Sequence, residues 1–123
     1  MYSDRELLAL AAKAAGLQLC GYSWIGENED DDECEVLESA FVKLHPEQEL
    51  ATKWNPLTDD GDALRLAVRL HISPSWSPSK KSVKASIEND PFLVFGIDAT
   101  GDGCADVRRI IVMSAAAIGE GMQ

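Results

Sequence analysis

WNPLTDDGDALRLAV, residues 54–68, is where the middle of this chain turns from extended backbone to helix, and the rest can be read outward from it. The Asn55-Pro56 pair signals a turn, because the proline ring disfavours helical backbone at the residue before it. The segment Thr58–Asp62 then precedes a helix ending near His71. Leu64, Ala67, Val68 and His71 form one stripe at helical spacing, with Leu66 and Leu70 beside it. Arg65 and Arg69 lie one turn apart on a face that can stay wet. The carboxylates of Asp59, Asp60 and Asp62 admit two readings. Hard oxygen donors suit Mg²⁺ or Ca²⁺. Asp is also a favoured N-cap, accepting from the first free N–H groups and complementing the helix dipole. The cap reading, with Asp59 and Asp60 as capping residues, is the stronger.

Upstream, Ser3 and Glu6 form a capping box, and Tyr2 and Leu7 occupy hydrophobic-staple positions. Leu7, Leu10, Ala11 and Ala14 follow as a helical stripe, which Gly16 stops. LQLCGYSWI (17–25) reads as a strand, with Leu17, Leu19 and Ile25 on one face and Tyr22 and Trp24 on the other. An acidic loop at about 26–36 comes next. ECEVLESAFVKLH admits a helical stripe through Val36, Leu37, Ala40, Phe41 and Leu44, but its later part favours a strand near 39–45, ended by Pro46.

Downstream, SPSWSPSKK (73–81) reads as a Ser/Pro loop. SVKASIE (82–88) alternates as a strand with Val83, Ala85 and Ile87 inward. Asn89-Asp90-Pro91 is a tight turn, so FLVFGI (92–97) should pair with that strand and sit more centrally. DATGDG leads into a last helix, Cys104 to Ile118, with Val107, Ile110, Ile111, Ser114 and Ile118 as its main stripe and Gly119 as its stop. Asp102 stands at its cap position. The order α-β-β-α-β-β-α implies an α+β fold: a single, largely antiparallel four-stranded sheet with helices on both faces. No internal repeat is visible.

The length of 123 residues fits a single domain, 1–123, able to bury a core without staples. The formal charge of −10 argues against nucleic-acid binding, which needs clustered Lys and Arg. Residues 27–38 hold eight acids and no base, leaving thirteen acids against eleven bases elsewhere, so the acidity is a local patch on a nearly neutral body. Cys20, Cys34 and Cys104 are odd in number and far apart, which suits neither a disulfide framework nor a zinc site. Arg5, Glu6 and Lys13 interrupt the early apolar segment, and no apolar run approaches membrane-spanning length. The expectation is a soluble cytoplasmic protein.

Other candidate sites weaken on inspection. Asp98, Thr100, Asp102 and Gly103 match the first half of a calcium loop, but its twelfth position is Arg109, where a bidentate Glu belongs. As a phosphate cradle the same turn suffers from Asp102, which repels an anion at the helix start. Cys104 opens a helix, yet Asp102 and Asp106 oppose any lowering of its thiol pKa. His45 and His71 form no catalytic constellation with a nucleophile. Trp54 is placed to pin its turn to the core. Trp76, flanked by Ser-Pro pairs, has no evident core to join, and an exposed Trp would mark a contact surface.

The W-N-P-L-x-D-D-G-D-A-L block, the N-terminal helix ending in AAKAAG and the terminal helix ADVRRIIVMSAAAIGE together resemble a family of small uncharacterised bacteriophage and prophage proteins. The resemblance implies an α/β/α "phage sandwich" and no reaction, catalytic residue or cofactor. The acidic run at 27–33 looks like an individual elaboration on that pattern.

The functional expectation is a non-enzymatic phage or prophage accessory protein, without cofactor, that binds a host or phage protein in the host cytoplasm. The candidate contacts are Glu27, Glu29, Asp30, Asp31, Asp32 and Glu33, together with Trp76, Arg65 and Arg69. In one version the acidic patch engages a basic groove as an inhibitor; in the bland version it only solubilises. The alternatives are a small divalent-metal enzyme using Asp59, Asp60 and Asp62, with Asp98 or Asp102 as a further candidate ligand, and a homo-oligomeric structural accessory.

Overall fold

In the computed structural model, residues 3–26, 35–43, 47–77, 82–87, 90–98 and 100–122 are described. The chain runs α1 (Asp4–Ala15), β1 (Gln18–Gly26), β2 (Glu35–Lys43), β3 (Thr52–Trp54), α2 (Asp60–Leu70), β4 (Ile72–Ser77), β5 (Ser82–Ile87), β6 (Asp90–Asp98) and α3 (Gly103–Glu120). It is an α+β fold, but the expected single four-stranded sheet is replaced by two three-stranded antiparallel sheets, ordered β1-β2-β3 and β4-β5-β6.

Two short strands make the difference. Thr52–Trp54, assigned to no element from sequence, pairs with Val42–Ala40. Ser73–Ser77 of the expected Ser/Pro loop join Ile72 in a strand that pairs along its length with β5. Pro74 is tolerated there because β4 is an edge strand, where a missing N–H need not break a ladder. Consequently β5, with Val83, Ala85 and Ile87 buried as expected, is the central strand, and β6 lies on the other edge instead of centrally. The fold thus contains a topological repeat that the sequence does not display: a helix followed by three consecutive antiparallel strands, twice, and then α3. Both repeated helices end in a left-handed residue, Gly16 at φ 74° and His71 at φ 58°, and a strand begins within two residues.

Of the strand expected near 39–45, residues 39–43 belong to β2, which extends from Glu35 to Lys43 and pairs with β1, while Leu44 and His45 lie outside the described residues. The expected faces of β1 change. Register shifts between Leu19 and Gly21 and between Ser23 and Trp24 break the two-residue alternation. Leu19 and Tyr22 therefore both pack against the core, although simple alternation puts them on opposite faces. The Tyr22 hydroxyl donates to the Arg5 carbonyl (3.4 Å), and the Arg5 guanidinium lies 5.6 Å from the ring centre. Burial raises the Tyr22 phenol pKa above its ordinary value, and Arg5 partly offsets that.

The helices lie on one another instead of on opposite faces of one sheet. α1 and α3 make the most extensive helix–helix contact, the first sheet rests on α1, and all three strands of the second touch α3. Small residues make this approach possible. Ala11, Ala12 and Ala15 of α1 and Ala115, Ala116 and Gly119 of α3 are buried. Gly119 is not a stop signal: α3 continues to Glu120, and Gly121 is its C-cap. A Cβ added at Gly119 would overlap the Leu10 carbonyl oxygen and sit 2.8 Å from its carbon.

Candidate functional site

The aspartate trio does divided structural work. The Asp59 side chain is the α2 N-cap, accepting from the Asp62 N–H at 2.8 Å. Asp60, expected to share that capping role, is already helical, and its carboxylate pairs with Arg108 of α3. Arg108 also donates from Nε to the Leu57 carbonyl at 2.9 Å, tying the Asn55–Leu57 turn and the start of α2 to α3. Asp62 reaches back and accepts from the Asn55 N–H (2.9 Å) with one oxygen and from Arg65 (2.6 Å) with the other. Asn55 in turn accepts from the Leu57 N–H at 3.0 Å. The trio's carboxylates are thus engaged by protein donors, with Arg65 beside both Asp62 (2.6 Å) and Asp59 (3.9 Å), and among the described residues no group of three or more His, Cys, Asp or Glu side chains converges as a metal-ligand set. Asp59→Ala is expected to cost about 1 kcal/mol of unfolding free energy, as a lost N-cap does. Asp60→Ala should leave the cap intact, and a double-mutant cycle with Arg108→Gln should give a coupling of about 0.5–1 kcal/mol, modest because Asp60 is largely exposed. Urea denaturation of the variants checks both.

The start of α3 is built similarly. Asp102 caps it by accepting from the Ala105 N–H at 3.1 Å, as expected. Buried Asp106 accepts from the Thr100 N–H (2.9 Å) and hydroxyl (2.7 Å), so Thr100 and Asp102 serve the helix start. Arg109, at the twelfth position of the calcium-like spacing, pairs with Asp4 of α1 at 3.5 Å. Half of the α1 box is present: the Ser3 hydroxyl caps the helix by accepting from the Glu6 N–H (3.2 Å), while the Glu6 carboxylate accepts from that hydroxyl (3.1 Å) and not from the Ser3 N–H.

The remaining candidates separate. Glu27, Glu29, Asp30, Asp31, Asp32 and Glu33 lie outside the described residues, as do Tyr2 and His45. Trp54 is buried, as placed from sequence, whereas Trp76 is 53% exposed and belongs to strand β4. The stripe expected to bury α2 is displaced. Ala63, Leu66 and Ala67 face the core, while Leu64 (64%) and Val68 (67%) are exposed. Periodicity locates an apolar face but not the direction in which neighbouring elements leave room, so Leu64 and Val68 gave no signal of exposure.

Leu64, Val68 and Trp76 border one groove of about 1050 Å³ between α2, β4 and the first half of α3. Its apolar lining includes Ala67, Ile72, Val107 and Ile111, with Asp60, Asp102 and Arg108 as polar elements and the exposed Cys104 on its wall. Gly103 opens α3 beneath the Trp76 ring, whose Cε2 would lie 3.5 Å from a Cβ at that position. Arg65 and Arg69 do not line this groove but a second cavity on the other flank of α2, with Leu64 and Val68 forming the ridge that the two share. No helix among the described residues is long and apolar enough to cross a membrane.

Comparison of the chain with protein-family models, with curated proteins and with solved structures gives no match.

Proposed function

We propose that this chain is a non-enzymatic binding protein that takes an apolar segment of a partner protein into the groove beside α2. The observation that carries this reading is the convergence of Leu64, Val68 and Trp76, three of the five large hydrophobic residues exposed among the described ones, on one groove. A contiguous apolar patch with a polar rim is characteristic of interaction sites, and a central Trp is a common energetic anchor. The net charge of −10 favours a partner with basic flanks around its apolar segment. The resemblance to phage and prophage proteins makes that partner a host or phage protein. The acidic run at 27–33 then steers the encounter or solubilises the chain, while the folded body supplies the contact.

The test immobilises three proteins: the intact chain, a Trp76→Ser variant, and a chain with the 27–33 acids changed to Asn and Gln. A bacterial protein retained by the intact and charge-neutralised chains but lost with the groove variant supports the reading. Loss only on charge neutralisation moves the site to the acidic run. Retention of nothing, with the chain self-associating in solution, replaces a foreign partner with a second copy.

A further inference from the structure

We propose a second, small-molecule site on the opposite flank of α2, a cavity that takes a medium-chain fatty-acid carboxylate. It is an open cleft of about 630 Å³ between α2, the end of α1 and the first sheet. That is within the usual ligand-pocket range of roughly 300–1,000 Å³. Its floor is apolar, with Ala15, Val42, Trp54 and Leu66 buried and Leu17 half-buried, and the exposed Leu64 and Val68 form the ridge it shares with the Trp76 groove. Three cations, Lys53, Arg65 and Arg69, also line it.

The charge distribution makes this arrangement informative. The chain has 21 acids against 11 bases, yet this cavity has three bases and a single acid, Asp62. Asp62 is engaged by the Asn55 N–H and by Arg65, so it leaves the Arg69 charge unanswered. Among the described residues Arg69 has no carboxylate partner. Its Nη2 lies 3.6 Å from where a Cβ on Gly16 would stand, over the C-terminal end of α1. The negative end of that helix dipole favours a cation there and helps to hold the guanidinium at the mouth. An apolar chain inside the cavity, with its carboxylate meeting Arg69 in a charge-assisted, two-pronged hydrogen bond, matches both parts of the lining.

The experiment titrates dodecanoate, below its micelle-forming concentration, into the isotopically labelled full chain and follows backbone amide resonances. Expected are saturable shifts at Leu17 and Thr52, on this cavity, without matching shifts at Gly103 and Cys104, in the Trp76 groove. Arg69→Gln should weaken binding about tenfold, since a charged hydrogen bond contributes about 1.5 kcal/mol or more. The alcohol of equal chain length should bind more weakly and be indifferent to that substitution. Circular dichroism and the Tm of Arg69→Gln, expected unchanged, exclude a folding effect. Absence of saturable binding, equal binding by Arg69→Gln, or shifts confined to Gly103 and Cys104 would each overturn the assignment. Those readouts do not involve a protein partner, so the reading of the Trp76 groove stands or falls separately.

Discussion

Gly119→Ala is expected to lower the unfolding free energy by about 3 kcal/mol or more. Inserting carbon into a well-packed core typically costs about 1–3 kcal/mol when side chains can adjust. Here the added methyl meets backbone, the carbonyl of Leu10, which no rotamer change can move. α1 and α3 would have to separate along their principal contact, loosening Leu8, Ala12, Val112 and Ala115 together, each at most 1% exposed. Gly121→Ala is the control. Gly121 has φ −78°, and a Cβ there finds ordinary contacts at 3.6 Å and beyond. It should be nearly neutral. Thermal and urea denaturation of the two variants, side by side, measure the difference, and equal stabilities would refute the close approach of these helices.

Asp62→Ala should cost about 2–3 kcal/mol, more than the loss of either other aspartate in the trio. Its carboxylate is the acceptor for the N–H of buried Asn55, and leaving a buried donor unpaired costs about 1–3 kcal/mol in addition to the charged hydrogen bond lost. The effect should spread, because Asn55 organises the turn. Its carbonyl accepts from the Thr58 and Asp59 N–H groups, and its side chain accepts from Leu57. Asp62→Asn, which keeps an acceptor oxygen, should recover about half of the loss. Denaturant unfolding of the set reads the order Asp62, Asp59, Asp60. The same proteins test the metal alternative: saturable stabilisation of the intact chain by Mg²⁺ or Mn²⁺, abolished in Asp60→Ala/Asp62→Ala, would restore it.

What the sequence by itself determined is local. Ser3, Asp59 and Asp102 are the N-caps of the three helices among the described residues, and each could be read because a cap is a contact between a side chain and an N–H three residues away. Gly16 as a helix stop and Val83, Ala85 and Ile87 as one strand face belong to the same class. What only the tertiary structure decided depends on which segments meet. Thr52–Trp54 and Ile72–Ser77 become strands because β2 and β5 offer them ladders, which outweighs the loop character of a Ser/Pro-rich segment. Gly119 reads as a helix terminator until Leu10 is seen against it, and Asp60 reads as a cap until Arg108 arrives from α3. Leu64 and Val68 read as core because helical periodicity shows that a face is apolar without showing what covers it. Their exposure, and with it the candidate groove, was settled only when α3 and β4 packed beside α2 and left that ridge uncovered.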